Sequence, residues 1–96
     1  MIQGFRSRRA EDIYHGIASK AARPFPVELH EKAYRLLDQL NASTRLDTLR
    51  VPPGNRLESL RGKLKGFYSL RINKQWRVIF RWREGHAHDV DVVDYH

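Results

Sequence analysis

The sequence predicts an α+β fold: a small antiparallel meander sheet with two N-terminal helices on one face and a basic opposite face. Three observations carry this. Leu29, Ala33, Leu36, Leu37 and Leu40 recur at helical spacing and form one apolar stripe. From Phe67 onward the apolar period changes to two. Two alternating runs are then joined by Asn73-Lys74-Gln75, the length of a hairpin loop.

Taken in order, Met1–Phe5 reads as a short first strand anchored by Ile2 and Phe5. Ser7 can cap a helix over Arg8–Gly16 or a little further, with Ala10, Ile13, Tyr14 and Ile17 on its inner face. Arg23-Pro24-Phe25-Pro26 breaks the chain, and Pro26 suits the first turn of a second helix, about Val27–Asn41. Its leucine stripe is core; Glu28, Glu31, Lys32, Arg35 and Asp38 lie mostly outside it. Ser43-Thr44 can cap a further turn carrying Leu46 and Leu49. Val51-Pro52-Pro53-Gly54-Asn55-Arg56 is a stiff loop, placed to wall a groove before the basic half.

In Phe67–Asn73, Tyr68, Leu70 and Ile72 share one face, and Phe67, Ser69, Arg71 and Asn73 the other. In Trp76–Arg83 the apolar face is Trp76, Val78, Phe80 and Trp82; Arg77, Ile79, Arg81 and Arg83 point away from it. Pairing Ile72 with Trp76 and Leu70 with Val78 makes the apolar faces coincide, and a one-residue slip would reverse Trp76. That register sets Arg71 opposite Arg77. Like charges across a strand pair destabilise it, so either a neighbouring carboxylate relieves them or an anionic partner sits there. Glu84-Gly85-His86 turns the chain into a last strand, Ala87–Tyr95. Strict alternation places His88, Val90, Val92, Asp94 and His96 on one face and Asp89, Asp91, Val93 and Tyr95 on the other.

Ninety-six residues without repeats or linkers predict one domain. The absence of cysteine excludes disulfides, thiolate zinc sites and cysteine nucleophiles, and suits a reducing cytoplasm. The N-terminal stretch lacks the apolar region of a signal peptide, and no apolar run is long enough to span a bilayer, so no membrane is expected. The formal net charge of +7 points to a polyanionic partner. Half of the 18 Lys and Arg side chains fall between Arg56 and Arg83: Arg56, Arg61, Lys63, Lys65, Arg71, Lys74, Arg77, Arg81 and Arg83. Clustered on a sheet face opposite the helices, they read as a surface for nucleic acid or another phosphate, with Phe67 and Tyr95 available to stack on bases. Arg56, Arg61, Lys63, Lys65, Arg71, Lys74 and Arg81 are the candidate RNA contacts.

The chain closes on Asp94-Tyr95-His96, a carboxylate, a phenol and an imidazole after a β-branched run. No nucleophile elbow accompanies the serines and histidines. The acidic and histidine side chains of the last strand alternate between faces, which argues against a single metal site and implies no cofactor. General acid–base chemistry on RNA fits better. An imidazole titrates near neutrality, a carboxylate can orient it or act as a base, and arginines can stabilise charge developing on phosphate.

Four segments together resemble the HigB toxins of the RelE/ParE superfamily: Val51–Gly62, Gly66–Asn73, Gln75–Phe80 and the terminal Asp94-Tyr95-His96. The resemblance covers nearly the whole chain. It implies the RelE-like microbial ribonuclease fold and ribosome-dependent mRNA cleavage that inhibits translation. It also implies neutralisation by a HigA-type helix-turn-helix antitoxin, through which alone the toxin reaches operator DNA. Asp94, Tyr95 and His96 match the family's terminal active-site motif, Arg77 the arginine after the tryptophan, and Arg61 a basic position before a glycine. Glu58 stands where the best-described branch has an active-site histidine, to serve as a base or to pair with a nearby arginine. The alternatives are a ParE-like, non-enzymatic inhibitor of DNA gyrase and a plain nucleic-acid-binding module; the Asp-Tyr-His ending favours the nuclease branch.

Overall fold

The structure, a computed structural model, describes residues 1–95. Two helices, α1 (Arg8–Tyr14) and α2 (His30–Ala42), pack on one face of a sheet of four antiparallel strands. These are β1 (Glu58–Ser59), β2 (Tyr68–Arg71), β3 (Trp76–Arg83) and β4 (His86–Asp94), hydrogen-bonded in that order. The α+β arrangement expected from the sequence, helices on one face of an antiparallel meander, is the one observed.

Ser7 starts α1 as expected: its Oγ accepts the Ala10 N–H at 3.2 Å, a cap worth about 1 kcal/mol. The helix is shorter than its apolar spacing implied. It stops at Tyr14, because Gly16 turns to positive φ, and Ile17 is left half-exposed rather than on the inner face. Pro26 precedes a single 3₁₀ turn, Val27–Leu29, that runs into α2. The α2 stripe is the centre of the core. Ala33, Leu36, Leu37 and Leu40 are fully buried against Leu70, Val78, Phe80, Val90 and Val92, with Leu29 packed at the edge. Truncating one of these leucines costs about 2–5 kcal/mol. Ser43 does not cap the following turn; its Oγ donates to the Gln39 carbonyl at 2.7 Å and closes α2.

The hairpin has the predicted register, Leu70 against Val78 and Arg71 against Arg77, and the Ile72 N–H donates to the Trp76 carbonyl at 3.0 Å. Three features differ from the sequence reading. Met1–Phe5 meets β4 only at two parallel bridges, Ile2 with Ala87 and Phe5 with Val90. The cause lies in β4, where Asp89 takes a left-handed φ of 51° and the pairing with β3 shifts between Ile79 and Arg81. This bulge inverts the alternation, so Ala87, not His88, shares the core face of Val90 and Val92. The N-terminal segment follows the same three-residue step and cannot pair continuously.

The third difference is the face away from the helices, which is not simply basic. Leu60, Phe67 and Ile79 form a second buried cluster there, with Leu64 and Val93 against it. Ile79 is apolar in the middle of the arginine row, and the segment Leu60–Phe67 folds back to cover it.

Candidate active site

The site is built at the hairpin end of β3. The turn is set by Asn73, whose Oδ1 accepts the N–H groups of Gln75 at 2.8 Å and Trp76 at 2.7 Å, an Asx turn. Trp76 goes into the core, edge-on to Phe25 at 5.0 Å, so Arg77 must project from the opposite face. There its Nη1 donates to Glu58 Oε1 at 2.9 Å and to Ser69 Oγ at 3.0 Å. The like-charge pair with Arg71 is therefore relieved by a carboxylate. Of the two guanidiniums, only that of Arg77 is engaged by a carboxylate among the described residues, which leaves the pair with surplus positive charge.

Glu58 reaches Arg77 because β1 pairs with β2 and sets Glu58 beside Ser69. The loop before it is pinned by Asn55, which is buried and donates through Nδ2 to Gln39 Oε1 and to the carbonyls of Leu49 and Val51. Gln39 in turn donates to the Val51 carbonyl at 2.8 Å, so helix α2 holds the loop that delivers Glu58. Arg56, just beyond, has a left-handed φ of 48° and an exposed side chain.

The third component is the end of β4. Asp94 lies opposite Trp76, and its Oδ2 accepts from Gln75 Nε2 at 3.0 Å. The Tyr95 N–H donates to the Gln75 carbonyl at 2.6 Å, and the Arg77 guanidinium sits 5.1 Å from the centre of the Tyr95 ring. A cation over an aromatic face is worth about 0.5–1 kcal/mol at such exposed positions. Glu58 and Tyr95 thus meet at Arg77, with Arg71 beside it. Asp94, paired with Trp76, is on the other face of the strand pair and joins the site only at its edge, through Gln75. His96, the remaining member of the expected set, lies outside the described residues.

The other expected RNA contacts spread outward. Arg61, Lys63 and Lys65 are exposed on the segment that covers Ile79, and Lys74 is exposed in the hairpin turn. Arg81 is committed locally. It stacks 4.4 Å from the Phe67 ring centre, lies 3.6 Å from Asp89, and its Nη1 comes within 2.7 Å of where a Cβ at Gly66 would stand. Phe67 is not the base-stacking ring that alternation offered: it is buried, and Arg6 covers it at 5.3 Å while Arg81 approaches at 4.4 Å. Ser69, Gln75 and Asn55 were not singled out from sequence. The available signals were a small polar residue in the arginine row and a turn residue able to reach the tail. Elsewhere, the Tyr14 phenol is pushed above its ordinary pKa by burial and by its bond to Asp38, on the helical side and outside this cluster.

Comparison with known proteins shows the family to which the chain belongs. Residues 4–96 match the HigB-like toxin family, described as the RelE-like toxin of the type II toxin–antitoxin system HigB. Toxin HigB-1 of Vibrio cholerae serotype O1 is 41% identical over 87 residues, 91% of this chain and 90% of that protein. An uncharacterised Haemophilus influenzae protein is 37% identical over 65 residues, 68% of this chain and 64% of the relative. Among solved structures, the YoeB-YefM complex from Staphylococcus aureus contains a chain that superposes with a TM-score of 0.61 at 22% identity, covering 100% of this chain and 98% of that one. YafQ from Escherichia coli strain BL21(DE3) superposes with a TM-score of 0.56 at 14% identity, covering 98% and 93%. These two share the fold. The chain belongs to the HigB-like family of RelE-like toxins from type II toxin–antitoxin systems, a class of mRNA-cleaving proteins with an antitoxin partner.

Proposed function

We propose that this toxin is a ribosome-dependent endoribonuclease acting in the cytoplasm as one domain, without metal or cofactor. The observation that carries the proposal is Arg77. It projects at the hairpin end of the sheet face away from the helices, is oriented by Ser69 and Glu58, and is flanked by Arg71 and Tyr95. An RNA phosphodiester matches a carboxylate in its single charge and two free oxygens, and attack by the 2′-oxygen adds further negative charge, which the second arginine is placed to stabilise.

In this reading the scissile phosphate replaces the Glu58 carboxylate on Arg77. The neighbouring 2′-oxygen bonds to phosphorus as the bond to the 5′-oxygen breaks. One group accepts the proton of the 2′-hydroxyl and another protonates the departing 5′-oxygen. Asp94, His96 and Glu58 divide these transfers, Tyr95 orders the nucleotide, and Arg77 and Arg71 stabilise the added charge on phosphorus. Arg56, Arg61, Lys63, Lys65 and Lys74 supply the path for the rest of the mRNA, whereas Arg81, held by Phe67 and Asp89, stays with the fold. The neutralising partner is a HigA-type helix-turn-helix antitoxin.

The test is to incubate the protein with translating ribosomes and map new mRNA 5′ ends. Cleavage that requires ribosomes and disappears in Arg77→Ala and His96→Ala is expected. Uncut mRNA alongside arrested DNA supercoiling would move the assignment to gyrase inhibition. Binding without cutting or toxicity would reduce it to a nucleic-acid-binding module.

A further inference from the structure

We propose that Gln75, in the β2–β3 turn, is the positioning residue that holds Asp94 and Tyr95 in their working geometry. The proposal rests on the nuclease reading of the site. Ladder pairing between β3 and β4 ends at Trp76 with Asp94, so Tyr95 has no strand partner and would fray without another hold. Gln75 supplies two. Its carbonyl accepts the Tyr95 N–H at 2.6 Å, and its side-chain amide donates to Asp94 Oδ2 at 3.0 Å.

The clasp is itself braced. Asn73 Oδ1 fixes the Gln75 N–H at 2.8 Å, which sets the direction of the residue before its side chain makes any contact. An ionised carboxylate only accepts hydrogen bonds, so a donor is required opposite Asp94, and the glutamine amide provides one without adding charge. With the main chain of Tyr95 tied down, its ring stays 5.1 Å from the Arg77 guanidinium. One turn residue thereby couples the carboxylate, the ring and the arginine, none of which it needs to share with substrate.

The test compares three substitutions. Gln75→Glu keeps the shape but turns the donor into an acceptor facing Asp94; Gln75→Ala removes the donor; Gln75→Lys keeps one. Cleavage on translating ribosomes should lose up to about 100-fold in kcat for Gln75→Glu, the cost of misplacing reacting groups by about 1 Å, with KM unchanged. Gln75→Ala should lose less, and Gln75→Lys should stay within a few-fold of the parent. Hydrogen exchange at the Tyr95 amide should accelerate in the same order. Parental kcat and exchange in Gln75→Glu, or an equal fall in all three variants, would overturn the proposal. If the parent protein cuts no mRNA on ribosomes, the nuclease reading fails, and the exchange ranking still decides whether the clasp exists.

Discussion

Two arginines on β3 face the same way, four residues apart, and are dressed alike. Arg77 has a carboxylate at 2.9 Å and an aromatic ring at 5.1 Å; Arg81 has a carboxylate at 3.6 Å and a ring at 4.4 Å. What separates them is the ring. Tyr95 is 41% exposed and belongs to the end of the chain, whereas Phe67 is 6% exposed and carries a second guanidinium, Arg6, as well. The Arg81 side chain is the more exposed of the two, 39% against 17% for Arg77. Exposure alone therefore favours Arg81, against the role proposed for Arg77. An arginine works on a substrate when the groups that hold it can be exchanged for substrate, and Arg81 is held by the fold.

The sharpest way to break this comparison is to truncate each arginine. Arg77→Ala is expected to lower ribosome-dependent cleavage by about 1,000-fold, the loss of a principal charge-stabilising donor, while costing under about 1 kcal/mol of stability. Arg81→Ala is expected to do the reverse, destabilising by about 1 kcal/mol through its lost stacking on Phe67 and retaining most of the activity. Urea unfolding and end-mapping on the same preparations read both quantities. Equal catalytic losses would show that the two positions form one RNA path and that the distinction drawn here is false.

The rings give the next largest contrast. Phe67→Ala empties the centre of the second cluster and should cost about 3 kcal/mol, seen as a lower urea midpoint. Tyr95→Ala should leave the midpoint within about 0.5 kcal/mol, as for an ordinary surface change, and act on cleavage instead. A stable Phe67→Ala protein would mean that the segment Leu60–Phe67 is held by something other than burial of that ring.

The sequence makes one of these two rings look like the other, and the reason is physical. Period two assigns a residue to a face but not to a depth. Phe67 and Arg77 were placed on the correct side of the hairpin because Trp76, Val78 and Phe80 had to face α2. That Phe67 would then be covered depends on Leu60 and Leu64 folding back over Ile79, a contact between segments that no local pattern encodes. The β4 bulge is equally hidden: aspartate tolerates a left-handed backbone, but Asp89 is one of several acidic residues that could have taken it. At the site, the membership of Glu58, Asp94 and Tyr95 rests on motif resemblance; the structure brings Glu58 and Tyr95 to Arg77 and leaves Asp94 beside Gln75. The supports Ser69 and Gln75 were invisible, because each acts through a pairing register rather than through its own chemistry.

The carboxylates provide the finest discrimination. Glu58→Gln keeps a hydrogen-bond acceptor near Arg77 but removes the charge, and Asp89→Asn does the same beside Arg81. Each pair is solvent-exposed on its acidic side, so neither substitution should cost more than about 1 kcal/mol of stability. Only one of them should act on RNA. If the Glu58 carboxylate only occupies the place of phosphate, Glu58→Gln frees Arg77 and lowers KM, with kcat unchanged. If Glu58 also takes a proton from the 2′-hydroxyl, KM still falls but kcat falls with it, because an amide cannot serve as the base. Asp89→Asn should alter neither constant, since the cation it faces is committed to Phe67. A KM that responds to Asp89→Asn as strongly as to Glu58→Gln would place RNA on both arginines, and Arg81 would then have to leave Phe67 to meet it.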